Sequence, residues 1–473
     1  MAGYVFENMS QQDAAAFSAN DTLTFNTAGS TANQVRVDPY SNTSSGSGNG
    51  GITLTYGQNA DGSAHSLTFS NAIATASTTT TTTSTTTNGG TPVTTTSTHI
   101  LFSDSSHLEI GQNGTGDTLN PIDNTNSHTV YGLGGNDTIA FAGVGAGVSE
   151  YLNGGFGADT INGGNANNHI YGNSEFTQRG ATDPGSSNVA DGDDTITVLG
   201  GTNYINGNAG ADTITAGTNA TTGAQAAPAS NGFNHIFGGA DDDVINIAGA
   251  GHNAVNGNTG NDTITDTGTG DNTLRGGSGN DTITGGSGHS VLMGDVGNDY
   301  IIVHGNAGEN VSGGSSNTAT TAHIDVISGG DGGDTFDFSA AGAGQAVKFG
   351  QVTYYQEVTD FTHGVDKMIL PASGANPDGN TGAVVGTSNT IFASVHDAEA
   401  YANTVLNGDG VAGATPTVEA LSVGSSSNTY LMYLDTASTQ PTGTNEVAGL
   451  SIVHLDNVTA SSLTATDFIS GGM

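Results

Sequence analysis

The chain has almost no positive charge and no cysteine or tryptophan. Its 473 residues include five Lys and Arg but 44 Asp and Glu, which gives a formal net charge of −39. Because no basic patch is available to displace the counterions of phosphate groups, we expect no nucleic-acid partner and no binding to anionic lipid. The absence of cysteine excludes disulfides, thiol catalysis and zinc–thiolate sites.

Long apolar segments are also absent from the sequence. No run approaches the roughly 18 residues of a membrane-crossing helix, so we predict no transmembrane segment. The first residues, MAGYVFENMSQQDAAAF, contain neither the basic stretch nor the apolar stretch of a secretory signal peptide. If the protein is exported, we expect it to leave by another route.

The excess of acidic residues calls for a counter-charge. A compact protein with this net charge repels itself, and a divalent metal ion is the simplest group that would neutralise it. The alternative is that the charge only keeps the protein soluble. We favour the metal because the acids recur at a fixed phase of a repeat.

The repeat is a nine-residue unit of the form G-G-x-G-x-D-x-U-x, in which U is apolar, between about Gly111 and Phe338. One such unit is weak evidence in a chain with 75 glycines, but eight copies in one phase predict a repeat fold. Residues 191–197 keep the end of the unit, and residues 111–119 resemble a stretched first copy. The eight copies are residues 132–140, 154–162, 207–215, 238–246, 257–265, 276–284, 294–302 and 329–337.

The unit also predicts its local structure. Its x-U-x tail is a short strand with one apolar side chain facing inward, and its glycine-rich half is a turn with positive φ. Since one apolar residue cannot form a core, successive units must stack. We therefore predict an all-β fold centred on a right-handed parallel β-roll. Its predicted core is Ile139, Ile161, Ile196, Ile214, Ile245, Ile264, Ile283 and Ile301.

The spacing of the acids predicts that they share one edge of the roll. Asp243, Asp262 and Asp281 are 19 residues apart, and the pairs Asp194–Asp212 and Asp281–Asp299 are 18 residues apart. Because two units complete one turn, the intermediate units GHNAV (251–255), GDNTL (270–274) and GHSVL (288–292) form the opposite edge. Asn, His and Ser mostly replace the acid there, and Asn168 in the unit 163–171 also stands where an acid is expected.

These nonapeptides resemble those of the RTX (repeats-in-toxin) family of exported proteins. The resemblance implies that several Ca²⁺ ions bind between successive coils, through the Asp carboxylates and the carbonyls of the turns. Asp271, on the opposite edge, is predicted to support one extra site. The alternative is that these acids only form turns, although Asn would serve a turn without the charge. The implied metal positions are Asp137, Asp159, Asp194, Asp212, Asp243, Asp262, Asp281, Asp299, Asp334, Gly135, Gly157, Gly210, Gly260, Gly279 and Gly297.

The sequence predicts three regions. Residues 1–110 form a small antiparallel β domain, with strands near 22–25, 34–37, 52–56, 66–69 and 99–102 and an exposed Thr-rich loop at 78–98. That loop is expected to be bare or O-glycosylated. The roll occupies residues 111–338, and surface insertions interrupt it at 173–190, 216–232 and 315–322.

Residues 339–473 are predicted to cap the roll. This region should contain one helix at 396–408 and strands in TYLMYLD and LSIVHLDNV. VTDFTHGVDKMIL (358–370) is similar to the strand and turn that often follow RTX rolls, and residues 456–473 look like a type I export signal. The resemblance implies an extracellular or cell-surface protein that folds on calcium after export.

No catalytic motif is found in the sequence. A zinc protease needs H-E-x-x-H and a serine hydrolase needs G-x-S-x-G, and neither is present. The G-x-G strings belong to roll turns and not to a nucleotide-binding β-α-β unit. His252 and His289, with Asp271 between them, are more simply explained as solvated turn residues than as a catalytic group. We therefore predict that the protein is not an enzyme.

The composition and the long roll look like those of the RTX surface-layer proteins of Gram-negative bacteria. The resemblance implies a calcium-binding structural protein that assembles into a homo-oligomer or a lattice. The alternative is a secreted adhesin that binds a cell-surface glycan through its N-terminal β domain or its insertions.

Overall fold

A computed structural model gives the fold, and it divides the chain into two compact units, Met1–Val244 and Ile245–Met473. The division into 1–110, 111–338 and 339–473 stays a prediction. The structure describes residues 2–41, 51–59, 62–70, 72–78, 80–85, 93–112, 114, 116–145, 147–173, 191–217, 232–304, 325–338, 347–349, 352–354, 356–370, 385–393, 397–398, 401–402, 418–434 and 450–469.

The first 110 residues belong to the first unit and contain two sheets that pack around aromatic side chains. Strands β3, β4 and β5 pair antiparallel, as predicted, but β1, β2 and β8 form a parallel sheet that was not predicted. Phe6, Phe25 and Phe69 are fully buried between these elements. The elements are β1 Gly3–Val5, a 3-10 helix Phe6–Asn8, α1 Gln11–Ala16, β2 Thr22–Thr24, a 3-10 helix Ala32–Gln34, β3 Arg36–Ser41, β4 Gly51–Gln58, β5 Ala64–Phe69, α2 Ala72–Thr78, β6 Thr80–Thr85, β7 Val93–Thr98 and β8 Ile100–Leu101.

The Thr-rich stretch 78–98 is not simply the loop that the sequence predicts. Strands β6 and β7 pair antiparallel, with Thr80 opposite Thr98 and Thr85 opposite Val93. Threonine is β-branched and favours extended backbone, so a run of threonines readily pairs as strands. Low sequence complexity was therefore the wrong signal for a loop at this place.

Two parallel ladders of short strands follow in the first unit. One ladder contains β10, β12, β14, β16 and β18, and the other contains β9, β11, β13, β15, β17 and β19. Successive strands along the chain alternate between the two ladders through most of this region, as a roll requires. Their bounds are β9 His107–Ile110, β10 Thr118–Leu119, β11 His128–Gly134, β12 Thr138–Ala140, β13 Ser149–Phe156, β14 Thr160–Gly164, β15 Asn167–Tyr171, β16 Thr195–Val198, β17 Asn203–Ala209, β18 Thr213–Ala216 and β19 Asn234–Ala240, and β20 Val244–Ile247 contains the division between the units.

The second unit repeats this arrangement and then changes it. Strands β22, β24, β26, β28 and β32 form one parallel ladder, and β21, β23, β25, β27 and β31 form the other. β31 pairs with β36, which continues through β35 and β34 to β33. The bounds are β21 Asn253–Thr259, β22 Thr263–Asp266, β23 Thr273–Ser278, β24 Thr282–Thr284, β25 Val291–Val296, β26 Tyr300–Ile302, β27 Val326–Asp331, β28 Thr335–Asp337, β29 Val347–Phe349, β30 Val352–Tyr354, β31 Gln356–Val358, β32 Lys367–Ile369, β33 Val385–Phe392, β34 Val418–Val423, β35 Asn428–Leu434 and β36 Leu450–Asp456, with 3-10 helices at Ala460–Ser462 and Ala465–Asp467.

The predicted isoleucine core is confirmed, and the all-β roll with it. All eight predicted isoleucines are fully buried. They stack in register within each unit, as Ile139 opposite Ile161 and Ile264 opposite Ile283 illustrate. Each of these units therefore contributes one isoleucine to a narrow core, and the coils stabilise one another through contacts with their nearest neighbours.

The remaining sequence predictions have mixed outcomes. The strands predicted in TYLMYLD and LSIVHLDNV are β35 and β36. Of the predicted helix 396–408, residues 397–398 and 401–402 are helical, and Ala398 and Ala402 are buried on one face. The rest of that stretch lies outside the described residues, as do most of the three predicted insertions. Among the described residues, no helix is long and apolar enough to span a membrane.

Replacement of one stacked turn glycine by alanine is expected to destabilise the roll. Gly279 has φ +132°, and an added Cβ would lie 1.9 Å from the carbonyl oxygen of Gly260. Gly249→Ala is the matched control, because Gly249 has φ +100° but nothing within 4 Å of an added Cβ. The control should cost only the backbone strain, about 1–3 kcal/mol. Urea unfolding in excess calcium should show a larger loss for Gly279→Ala, and equal losses would contradict tight stacking of the turns.

Candidate metal centre

The repeated aspartates form one hydrogen-bonded column in each unit. Along a column, each Asp donates its backbone N–H to Oδ1 of the Asp in the next coil, so the acids share one edge as predicted. In the first unit the column is Asp117, Asp137, Asp159, Asp194, Asp212 and Asp243, with N–O distances of 2.6–2.8 Å. In the second it is Asp262, Asp281, Asp299, Asp334 and Asp366, with distances of 2.8–3.0 Å.

The second carboxylate oxygen of the nine aspartates predicted for this edge is buried. Asp159 and Asp194 are each 1% exposed, and Asp299 is 2% exposed. A buried oxygen that accepts no hydrogen bond costs free energy, and the cost is higher for a charged group. The column therefore offers oxygen atoms that a cation would satisfy. In the described part of the chain, Oδ2 has no hydrogen-bond partner in Asp137, Asp159, Asp194, Asp212, Asp299 and Asp334.

The first glycine of each unit makes room for this oxygen. A Cβ added at Gly294 would lie 2.2 Å from Oδ2 of Asp299, so the carboxylate lies directly against the peptide backbone. The same contact, at 2.1–2.3 Å, recurs through the repeat. It joins Gly132 to Asp137, Gly154 to Asp159, Gly172 to Asp194, Gly207 to Asp212, Gly257 to Asp262, Gly276 to Asp281 and Gly329 to Asp334.

The six predicted glycines stand at the fourth position of the unit. They have φ values between 114° and 143°, which L side chains rarely adopt. Their carbonyl groups stack from coil to coil; an added Cβ at Gly297 would lie 1.7 Å from the oxygen of Gly279. The exception is Asp241, which takes this position at φ 79°. The predicted glycines are Gly135, Gly157, Gly210, Gly260, Gly279 and Gly297.

The opposite edge has a column of neutral side chains, as the sequence predicts. The amide of Asn168 donates to Asn203, and that of Asn203 donates to Asn234, at 2.8 and 2.7 Å. In the second unit, Asn253 donates to Asn272 at 2.9 Å. Because an amide both donates and accepts, this column stacks without accumulating charge.

Asp271 lies one residue before the inward position of that edge, which Asn272 occupies. Its Oδ1 accepts the backbone N–H of His289 at 3.0 Å. In the second unit, Asp325 of this edge is 1% exposed, and its Oδ2 has no hydrogen-bond partner among the described residues. Whether Asp271 binds calcium stays a prediction.

A comparison with protein-family models identifies the repeat. The model of the RTX calcium-binding nonapeptide repeat matches four times, at residues 144–175, 190–222, 229–247 and 266–301. The chain contains RTX repeats. No curated protein matches it significantly. Proteins with RTX repeats are generally secreted and bind calcium through these turns.

The donor atoms of the RTX repeats fit calcium. Ca²⁺ prefers six to eight oxygen ligands from carboxylates and backbone carbonyls. Each coil supplies both, as Oδ2 of Asp299 and the stacked carbonyls of Gly279 and Gly297 illustrate. With no thiolate in the chain and no imidazole among the residues of the column, these turns offer a hard, oxygen-only ligand set.

Burial controls the protonation of the RTX acids. It raises the pKa of Asp137 to about 7 and that of Asp159 to about 8. Burial, together with the charges of Asp159 and Asp212, raises the pKa of Asp194 to about 10. Burial also raises the pKa of Asp299 and Asp334, to about 6 each. Protons and metal ions therefore compete for these carboxylates near neutral pH.

Three acids are absent from the predicted metal positions: Asp117 and Asp366 of the acid column, and Asp325 of the opposite edge. Asp366 follows Gly364 and Val365 and precedes Lys367-Met368, so it keeps the G-x-D-x-U order of a last repeat. It extends the column past residue 338. Asp325 is followed by Val-Ile in the same D-x-U order, and burial raises its pKa to about 7. Both signals were visible, but each lacked the preceding run of glycines.

The stability of the metal-free protein is expected to fall as pH rises. Since the folded-state pKa values of Asp159 and Asp194 are raised to about 8 and 10, well above the roughly 3.9 of an unfolded Asp, their stabilising contribution is full below about pH 4. It is lost as pH rises through the folded values. Urea unfolding in a calcium chelator should therefore give a lower free energy of unfolding at pH 9 than at pH 5.

Excess calcium should reduce or abolish this pH dependence, because the metal replaces the proton on the same carboxylates. The comparison starts at pH 5 because hydrogen bonds lower the pKa of Asp13 and Asp467, whose contributions are lost only at more acidic pH. A metal-free chain that is equally stable at pH 5 and pH 9 would show that the acid column is not protonated in the folded state.

Proposed function

We propose that the protein is an extracellular, calcium-binding structural component that assembles into a surface layer or matrix. The observation that carries this proposal is the acid column, in which Oδ1 of one Asp accepts the backbone N–H of the Asp in the preceding coil and Oδ2 of the predicted aspartates is buried. Calcium would be held by the column carboxylates and by the carbonyls of the stacked turn glycines. It would supply the positive charge that the five basic residues cannot.

Calcium binding and folding should be coupled. Without a cation, the charges of Asp159 and Asp212 act on Asp194 from both neighbouring coils, and burial adds to the cost of ionising it. The glycine-rich turns also lose much conformational entropy when they become ordered. Binding energy from calcium would offset both costs, so a folded roll is expected where calcium is plentiful, as it is outside cells.

A structural role is favoured over a catalytic one. The buried acids are spread along a column, where Oδ1 of one Asp accepts the backbone N–H of the Asp in the preceding coil. An acid–base catalyst instead needs a few titratable groups that converge on one substrate. The absence of H-E-x-x-H and G-x-S-x-G from the sequence supports the same proposal.

Self-assembly is supported by the edge of the sheet in the second unit. Strand β33 is the last strand of that sheet and pairs with β34. Its Ile391 is 53% exposed, and Val296 and Val365 in the same unit are 53% and 49% exposed. An edge strand presents backbone groups that can pair with another chain. Neutralisation of the acidic surface by calcium would lower the repulsion between copies.

A calcium titration followed by negative-stain electron microscopy tests this function. At pH 9, where the metal-free roll is least stable, we expect chelation to abolish the far-ultraviolet β signal of the roll, and millimolar calcium to restore it and to produce sheets or filaments. A protein that keeps its full structure in chelator would contradict calcium-coupled folding. A protein that stays monomeric at every calcium concentration would contradict assembly.

Asp299→Asn and Asp331→Asn form a matched pair for the same titration. Both remove one negative charge, but Asp299 is buried in the acid column and Asp331 is exposed. Asp299→Asn should raise the calcium concentration at the folding midpoint without unfolding distant coils, because contacts in a roll are between neighbours. Asp331→Asn should leave the midpoint unchanged, and equal shifts would indicate a nonspecific charge effect.

A second candidate function, glycan binding by an adhesin, is favoured by a row of aromatic rings. Tyr151, Tyr171, Tyr204 and Phe237 stand on consecutive strands of one ladder, each half-buried, with ring centroids 5.6–5.7 Å apart. Aromatic side chains that are partly exposed in a row are common at recognition surfaces. The ladder spacing would present successive rings to an extended chain of sugars.

A glycan array with two variants of one residue tests this candidate. Tyr204→Leu removes a ring from the row while keeping apolar bulk, and Tyr204→Phe keeps the ring. Saturable glycan binding that Tyr204→Leu weakens and Tyr204→Phe preserves would support the adhesin. Absence of glycan binding by the calcium-loaded protein would exclude it.

A further inference from the structure

A cluster of histidines and carboxylates lies at the start of the roll in the first unit, outside the matched repeats. His107 is on β9, His128 is on β11 and Asp123 is in the connection between them. The ligand atoms of these three side chains all lie within 4.8 Å of one another. His107 and His128 are 8% and 1% exposed. The acid column does not include these residues, and the calcium function gives them no role.

The strand register brings the two histidines together. His107 is opposite His128 in the parallel pair β9–β11, and neighbouring strands are about 4.8 Å apart, so the rings stack with centroids 5.0 Å apart. Nε2 of His107 lies 2.7 Å from Oδ2 of Asp123. The backbone N–H groups of Thr125 and Asn126 bind Oδ1 of Asp123 at 2.8 Å and fix this carboxylate.

A further carboxylate orients His128. Nδ1 of His128 lies 3.2 Å from Glu150, and both side chains are fully buried. Histidines that bind metals usually donate their second ring N–H to a carboxylate in this way, which fixes the ring and its tautomer. Glu150 would therefore be a positioning residue and not a ligand.

Two buried atoms of the group have no hydrogen-bond partner among the described residues. They are Nε2 of His128 and Oε1 of Glu109. Glu109 is two residues after His107 on β9, so both side chains lie on the same face of that strand. Buried polar atoms are nearly always satisfied, and the unpartnered Nε2 of His128 within the cluster indicates a missing partner. A metal ion would satisfy an imidazole nitrogen and a carboxylate oxygen together.

We propose that His107, Asp123, His128 and Glu109 bind one divalent transition-metal ion of the zinc class. Two imidazoles with two carboxylates are a mixed nitrogen and oxygen set, which suits zinc and its neighbours. Calcium prefers oxygen ligands alone. This site is therefore chemically distinct from the acid column, and its ion would join β9, β11 and the connection between them at the first coil.

Zinc binding by the full chain in excess calcium tests the proposal, because calcium fills the RTX turns first. Isothermal titration should give one zinc ion per chain, which millimolar calcium does not displace. Co²⁺ in place of zinc should give the visible absorption of a tetrahedral site. His128→Gln should abolish this binding, and Glu150→Gln should weaken it by about 10- to 100-fold, as expected for a residue that orients a ligand.

His252→Gln is the control, because His252 is exposed and outside the cluster, and it should leave the stoichiometry and affinity unchanged. Circular dichroism in calcium establishes that each variant is folded, and Asp123→Asn supplies a second ligand variant whose side chain is 28% exposed. Folded variants His128→Gln and Asp123→Asn that bind zinc as tightly as the parent would overturn the proposal. Wild-type protein that binds no zinc, or loses it to calcium, would also overturn it.

Discussion

A buried carboxylate is stable only where another group compensates its negative charge, and the roll depends on how each coil meets that requirement. One oxygen of each column Asp accepts the N–H of the preceding coil, which sets the coil spacing. The other oxygen is pressed against a glycine Cα, which dictates glycine at the first position of the unit. The stacking of carbonyls then dictates glycine at the fourth position. A cation completes the arrangement and links the stability of the fold to its surroundings.

The roll could be predicted from sequence because its determinants are local and repeated. In the repeat unit the apolar residue follows the acid by two positions, as Ile283 follows Asp281. One unit therefore specifies the strand, the turn and the edge on which the acid lies. The end of the roll was harder to predict, because Asp366 keeps the acid but lacks the run of glycines. The parallel sheet of β1, β2 and β8 was missed because Leu23 pairs with Ile100, a long-range contact that no local pattern encodes.

The two candidate metal sites also differ in whether a local sequence pattern or a long-range contact determines them. The acid column follows from spacing, and the nine aspartates predicted for this edge all belong to it, whereas Asp271 lies on the opposite edge. The histidine cluster could not be predicted from spacing, because His107, Asp123 and His128 are unevenly spaced and come together only through the register of two strands. The sequence alone shows three polar residues in a stretch that does not repeat. Nothing in the sequence indicates that Glu150 binds His128.

The acid column also has a direction. Each coil offers a donor to the coil that follows it, and the last acceptor, Asp366, is held by the N–H of Thr362 in its own turn. If the C-terminal coil were delivered first, it would already contain the Oδ1 atom that accepts the backbone N–H of the next coil to arrive. If the N-terminal coil were delivered first, its backbone N–H would have no acceptor until the following coil arrived. The direction of these hydrogen bonds therefore distinguishes the two ends of a column, since one end is a donor and the other an acceptor.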